Sequence, residues 1–305
     1  MTNTSNWFDE YKLNRYLRNT PDVYLEQRRS YLAANLWSTD KDGAVTAPRN
    51  AEHRQGILRL YTHTLFEQGW RTPADIDFDE ASVRADASKS YLPPKLNQKI
   101  SFGADCFAKF GKEEHLTATL ERGTIRIAPA GAYADTSLNA AQKDDELEHA
   151  VQTPNEHLVM KLNVRDADGR EREREVVPEF RELFRYMMVP NFYVWCCGQG
   201  YDARLFHEFE ANAALIIHNK SEFISRLERA VQAIHPADQF HHGPIGYYDP
   251  YTTERGQLTW GYSKHVRYLY QNEYRFTWQT SDPDLSPFFV ELGPLQDIAS
   301  ILKLE

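Results

Sequence analysis

Residues 263–278, SKHVRYLYQNEYRFTW, govern how the rest of the chain is read. They divide into two short segments with strand character. In the first, Val266, Tyr268 and Tyr270 alternate with Arg267 and Leu269; in the second, Tyr274, Phe276 and Trp278 alternate with Glu273, Arg275 and Thr277. Successive side chains on a strand point to opposite faces. The second segment therefore sets its aromatics on one face and Glu273, Arg275 and Thr277 on the other. A carboxylate and a guanidinium so close together on an aromatic strand have two readings. Either the strand is an edge whose polar face meets water, or Glu273 and Arg275 look into a cleft.

The chain is large enough to build such a cleft. With 305 residues, 41% hydrophobic and 13% aromatic, it can fill a core in one large domain or two ordinary ones, which excludes global disorder. A formal net charge of −9 argues against broad, sequence-independent duplex binding, which needs clustered lysine and arginine. Cysteine occurs at 106, 196 and 197, with no C-x-x-C spacing, so neither a disulfide framework nor a structural zinc site is indicated. The opening MTNTSNWFDEYK lacks an apolar signal region, and no run approaches membrane-spanning length. The expectation is a soluble cytoplasmic protein with no membrane partner.

Residues 1–95 read as a helical domain or cap. Thr20 before Pro21 suggests a helix cap followed by proline at the first helical position. Asn50 suggests a second cap, with Ile57, Leu58, Tyr61, Leu65 and Phe66 at helical spacing and Gly69 as the stop. His53 and His63 fall on different faces of that helix and read as surface or core histidines, not metal ligands. The dipeptide Pro93-Pro94 marks a linker.

Residues 96–305 change texture, giving an α+β fold class with a mixed, split β-sheet and flanking helices. SFGADCFAKFG reads as a strand, KEEHLTATLERG as a helix ending at Gly123, and TIRIAPA as a strand with Ile125 and Ile127 on one face and Arg126 on the other. A polar loop through Asp144, Asp145 and Glu146 is too long to be idle in a compact domain. Its charge run reads as a solvated helix start, with a cation site as the alternative. HLVMKLNVRDADGREREREVV is a hairpin with Leu158, Met160, Leu162 and Val164 as its buried face and Asp168-Gly169 as its turn. Its alternating charges are expected to satisfy one another. Gly198, Gly200 and Ala203 match G-x-G-x-x-A, but one such unit, with His218-Asn219 where a ribose-binding acid belongs, does not make a dinucleotide fold. His241-His242 reads as loop, and PFFVELGPLQDIASILKLE as a last strand and short helix. No nucleophile elbow, Walker loop or kinase signature occurs.

Five segments in order carry a resemblance: CFAKFG with its helix and strand, NFYVWCC with LFHEFEANAALII, GPIGYYDP, KHVRYLYQNEYRF and FVELGPLQDIASIL. Together they resemble the bacterial domain of unknown function 2971 family, over roughly residues 100–305. The sequence departs from that family's usual Asn-Asp-Pro loop, having Tyr133-Ala-Asp135 and Leu138-Asn139 instead. In layout the family is similar to ADP-ribosyltransferases, with a split sheet and a late catalytic glutamate.

That resemblance implies an NAD-consuming effector, of the toxin or phage-defence kind, with NAD as substrate. It implies a macromolecular acceptor, protein or nucleic acid, and an antitoxin or defence-system partner. Loss of nicotinamide leaves an oxocarbenium-like ribose, whose charge a carboxylate at Glu273 would stabilise. Arg275 would orient Glu273 and keep it ionised. Lys109 or Arg126 would hold the NAD phosphates, and Tyr133 or Tyr247 would stack on nicotinamide. No metal is required. Two other readings remain open: a catalytically silent module sensing a nucleotide or phage protein, and a metal-dependent nuclease relying on Asp144, Asp145 and Glu146.

Overall fold

The computed structural model describes residues 4–72, 80–98, 103, 105–143, 146–154, 160–166, 168–176, 182–282 and 284–305. The chain opens with helices α1 (Thr4–Leu13) and α2 (Asp22–Ala34), a small ladder of β1 (Ser38–Thr39) and β2 (Val45–Thr46), then α3 (Ala51–Arg71) and α4 (Glu80–Ser90). Pro21 itself occupies the cap position of α2, one residue earlier than its sequence reading, with no side-chain cap bond. Asn50 caps α3 as expected, accepting from the His53 amide at 3.0 Å. Gly69 does not stop that helix, which continues to Arg71. The reason is Arg71, whose guanidinium holds Glu67 on the same helix and the Leu17, Arg18 and Thr20 carbonyls, so tertiary bonds stabilise the last turn. His63 is a core histidine. Its Nδ1 pairs with the Tyr16 hydroxyl at 3.1 Å, and burial lowers its pKa to about 4.

Beyond α4 come β3 (Phe107–Gly111), α5 (Glu113–Arg122), β4 (Thr124–Pro129) and a 3-10 turn at Ala130–Ala134. Gly123 ends α5 in the left-handed region at φ 72°, as its sequence position suggests. Two ribbons follow, β5 (Glu148–Pro154) with β8 (Glu182–Met188) and β6 (Met160–Arg165) with β7 (Glu171–Val176). Next are β9 (Tyr193–Gln199), α6 (Arg204–Glu208), β10 (Ala213–Ile217), α7 (Lys220–Gln232), β11 (Gln239–Pro244), β12 (Gly246–Tyr248) and β13 (Ser263–His265). A second 3-10 segment (Val266–Gln271) leads into β14 (Glu273–Gln279), and β15 (Phe288–Glu291) and β16 (Ala299–Lys303) close the chain.

The main sheet runs β11-β14-β9-β3-β10-β16, with β15 and β4 attached through β9, and its pairings are antiparallel. Among the described residues parallel pairing is confined to β12 and β13. The sheet splits at β9. Tyr193 and Val194 pair with β4, whereas Gly198 and Gln199 pair with β3, so β9 between them has no strand neighbour on that side. β10 lies beside β3, not β9, and β9–α6–β10 is therefore no dinucleotide unit.

One sheet face is closed by α5 and α7. Phe223, Leu227 and Val231, at helical spacing on α7, are fully buried there against Trp195, Phe276 and Trp278. Burial of each contributes about 1.5–3 kcal/mol. On the opposite face α6 covers the β3, β10 and β16 end, placing Leu205 and Phe206 on Phe110 and Ile216. At the β9 and β14 end of that face a small apolar cluster around Phe192 and Val194 adjoins buried charged side chains, and the site lies there.

Three expectations are corrected by this arrangement. Residues 266–271 form a 3-10 segment, not a strand. Val266 and Leu269 pack with α2 and α3, while Asn35, the residue that caps the end of α2, donates to the Val266 and Arg267 carbonyls and accepts from the Tyr270 amide at 2.7 Å. A three-residue repeat of contacts thus displaces the two-residue alternation of aromatics. His241 and His242 lie on β11 paired with Thr277 and Phe276, because the β14 edge takes them up. The expected closing helix is β16, drawn into the sheet by Leu215 and its neighbours on β10.

Candidate functional site

Strand alternation places Tyr274, Phe276 and Trp278 in the core and turns Glu273 and Arg275 to the opposite face. Arg275 is 1% exposed and Glu273 6%. Buried charges persist only when paired and hydrogen-bonded. Here four side chains from three segments do this. Arg275 Nε donates to Glu273 Oε1 at 2.8 Å, Lys264 Nζ to Glu273 Oε2 at 2.8 Å, and Arg275 Nη2 to Glu146 Oε1 at 2.9 Å. Lys264 also lies 3.4 Å from Glu146, and Arg275 Nη1 donates to the Gly261 carbonyl at 2.8 Å. Glu146 Oε2 stands 2.8 Å from Arg275 Nη1 as an ion pair without hydrogen-bond alignment. Two cations balance two carboxylates.

Burial alone would raise the Glu273 pKa. The charges of Arg275 and Lys264 and the hydrogen bonds from Lys264 and the Cys196 thiol outweigh it, so the carboxyl is held below the ordinary range. Burial and the Glu273 charge keep Cys196 a thiol. Tyr247 joins the quartet from β12, its hydroxyl accepting from the Glu273 amide at 2.8 Å. Burial and the nearby Glu273 carboxylate keep that phenol protonated. Tyr133 approaches from the turn after β4, where burial, Cys196, Glu146 and Glu273 all raise its pKa.

The long loop before β5 delivers Glu146. It is stapled over the 3-10 segment by Tyr268, which donates to the Lys143 carbonyl at 2.7 Å, and by Gln271, which donates to the Ala141 carbonyl at 2.8 Å. Glu146 is therefore an ion-pair partner of Arg275. Asp144 and Asp145 lie outside the described residues, and among those described no group of three or more potential ligands forms a metal site.

The sequence candidates divide by sheet face. Ala128 on β4 stands opposite Val194, so Arg126 shares the Glu273 face, exposed beyond Tyr133. Lys109 does not. Its register matches Phe107 and Gln199, on the face of Trp195, whose ring lies 5.3 Å from Lys109 Nζ. Lys109 Nζ donates to the Cys196 carbonyl at 2.7 Å, filling the gap where β3 and β4 diverge. Lys109 thus closes the split from the face opposite Glu273. Sequence reading missed Lys264 and Cys196. Lys264 stands in the opening stretch, but reading residues 266–270 as a strand segment leaves no means of folding it back onto Glu273.

Beside the quartet is an open recess of about 420 Å³. Tyr247, Tyr248, Thr253, Thr259, Tyr262 and Ser263 line it, so its walls are neutral hydroxyls and aromatic rings. The Tyr262 hydroxyl lies 3.0 Å from Thr277 Oγ1, on the same face of β14 as Glu273. His265, next to Lys264, is kept neutral by burial and by Arg267, with its pKa lowered to about 3. No family model matches this chain, and neither a curated protein nor a solved structure matches it.

Proposed function

We propose that this chain is an ADP-ribosyltransferase-like effector that cleaves the nicotinamide–ribose bond of NAD. The observation that carries the reading is Glu273, kept ionised by Arg275 and Lys264 beside a recess lined with neutral hydroxyls. In the proposed reaction the C1′–N bond breaks and nicotinamide leaves with the electron pair. The ribose becomes oxocarbenium-like, and the acceptor's nucleophile bonds C1′ and loses its proton. Glu273 stabilises the developing positive charge, which a carboxylate fixed in a low-dielectric site does without reorganising. Arg275 and Lys264 hold that carboxylate ionised and oriented. Tyr247 and Tyr133 flank the nicotinamide end, and Arg126 on the same face takes the phosphates. A toxin or defence role, with a macromolecular acceptor, belongs to the same proposal. The test is transfer of label from biotinylated NAD to lysate proteins and nucleic acids. Wild type labels an acceptor and Glu273→Gln does not; equal labelling overturns the assignment.

A second reading is favoured by the closure of the quartet. Both Glu273 oxygens are occupied by cations, and the residue is 6% exposed. A silent binding module would keep the cleft folded, bind NAD measurably by calorimetry and release no nicotinamide. The nuclease reading requires activity lost to a chelator, which NAD cleavage is not.

A further inference from the structure

One wall of the recess is a single stretch of chain, residues 249–263, which runs from the end of β12 to the start of β13 and carries Thr253, Gln257, Thr259, Tyr262 and Ser263. Its only regular structure before β13 is a 3-10 turn at Arg255–Gln257, and its middle, residues 252–259, is exposed or half-buried. With so few contacts of its own, such a segment takes its course from its ends. The far end is held by the site itself. Arg275 donates to the Gly261 carbonyl at 2.8 Å, and the Tyr262 hydroxyl pairs with Thr277 at 3.0 Å. The near end is held from outside the sheet. Arg28 on α2, 0% exposed, grips Asp249, 5% exposed, through both terminal nitrogens, Nη1 donating to Oδ1 and Nη2 to Oδ2.

Little freedom is left at this contact. Thr64 on α3 accepts from Arg28 Nε at 3.1 Å and the Tyr31 hydroxyl from Nη1 at 3.2 Å, so the guanidinium is itself fixed. Asp249 Oδ2 also accepts from Thr252 Oγ1 at 3.0 Å, and the Asp249 carbonyl accepts from the Thr252 and Thr253 amides at 3.2 and 3.0 Å. Tyr251 is buried with Tyr11, Tyr16, Leu17 and Leu25, its ring 5.0 Å from the Arg28 guanidinium. A buried ion pair often adds little to stability, since well-packed apolar residues of similar volume do as well. What apolar residues cannot supply is direction, which a planar fork bonded at two points to a carboxylate does. Asp249 is one residue from Tyr248 and two from Tyr247, both in the lining of the recess, so that direction bears on the site.

We propose that Arg28 is a positioning residue of the recess, acting through Asp249 from 221 positions away. It sets where the wall leaves β12, and with it the placement of Tyr247, Tyr248 and Thr253 around a bound ligand. With NAD as that ligand, this role rests on the function proposed above. A displaced wall loses contacts made alike with substrate and transition state, so the loss falls on KM. Glu273 keeps its own partners, Arg275 and Lys264, and kcat is spared.

The test uses the full chain in two variants. Arg28→Met combined with Asp249→Leu replaces the pair by apolar side chains, and Arg28→Lys keeps the charge but loses the fork. Nicotinamide release is measured against NAD concentration, and hydrogen exchange of residues 250–260 is measured without NAD. The double variant is expected to melt within a few degrees of wild type. Its KM should rise about tenfold with kcat within about twofold, and its 250–260 amides should exchange about tenfold faster or more. Arg28→Lys should shift KM and exchange the same way by a smaller factor. Wild-type KM in the folded double variant, a loss in kcat at unchanged KM, or unchanged exchange overturns the proposal. Should wild type release no nicotinamide, the NAD reading fails on its own, and exchange alone decides: faster exchange in both variants sustains the role of Arg28, and wild-type exchange overturns it. Should the double variant not fold, Arg28→Lys is judged by the same outcomes.

Discussion

Substituting Arg275 by methionine tests whether the buried quartet is a coupled unit. Methionine keeps much of the side-chain volume but removes the cation shared by Glu146 and Glu273. Both carboxylates then face Lys264 alone, leaving a net negative charge where each residue is at most 6% exposed. The Gly261 carbonyl also loses its donor. Breaking a buried ion pair from one side costs about 3–5 kcal/mol, because the remaining charge is uncompensated. Adding Glu146→Gln restores the balance of one cation with one carboxylate. The double variant is therefore expected to be more stable than Arg275→Met alone, with a coupling energy above about 1 kcal/mol. Urea denaturation of wild type, both single variants and the double variant measures this. A loss below about 1 kcal/mol for Arg275→Met, or simple additivity, would refute the reasoning.

Lys109→Met orphans the Cys196 carbonyl and should cost about 1–3 kcal/mol, while leaving nicotinamide release per folded molecule unchanged. Loss of release with retained stability would put Lys109 back in the site. Gly123→Ala should destabilise by at least about 1 kcal/mol in thermal unfolding, since φ is 72° and an added Cβ would collide with the Gly293 carbonyl oxygen. His63 and His265 have depressed pKa values of about 4 and about 3, so the unfolded chain binds protons first on acidification. Stability should therefore fall as pH drops below about 6.5, by up to about 1.4 kcal/mol per unit for each fully shielded histidine. His63→Gln should flatten the slope of stability against pH between about 6.5 and 4. Glu273, also depressed, contributes with the same sign at lower pH, its stabilisation being lost only as pH falls through and below the carboxylate range.

The sequence was most legible where local chemistry and tertiary packing agree. Gly123 after α5 and Asn50 before α3 both mark features that their own neighbours suffice to form. The faces of β14 were legible for the same reason, and with them the separation of Glu273 and Arg275 from the aromatics. What escaped depends on distant partners. Asn35 turns an aromatic alternation into a 3-10 segment from more than two hundred positions away. Lys264 reaches Glu273 only because of that segment, and Glu146 arrives on a loop whose length gave no direction. Lys109 and Arg126 looked equivalent until the split at β9 set them on opposite faces. On the β6–β7 hairpin, alternation fixed two faces but could not say that neither would be buried.

The central claim is that an ionised Glu273 beside the recess cleaves NAD. Its most direct measurement is nicotinamide release from NAD by purified wild type and Glu273→Gln, each shown folded by near-ultraviolet circular dichroism. Release by wild type that falls at least about a hundredfold in Glu273→Gln is the predicted result, that being the scale of losing one transition-state electrostatic contact. Equal release by both proteins, or none from folded wild type, would contradict the claim.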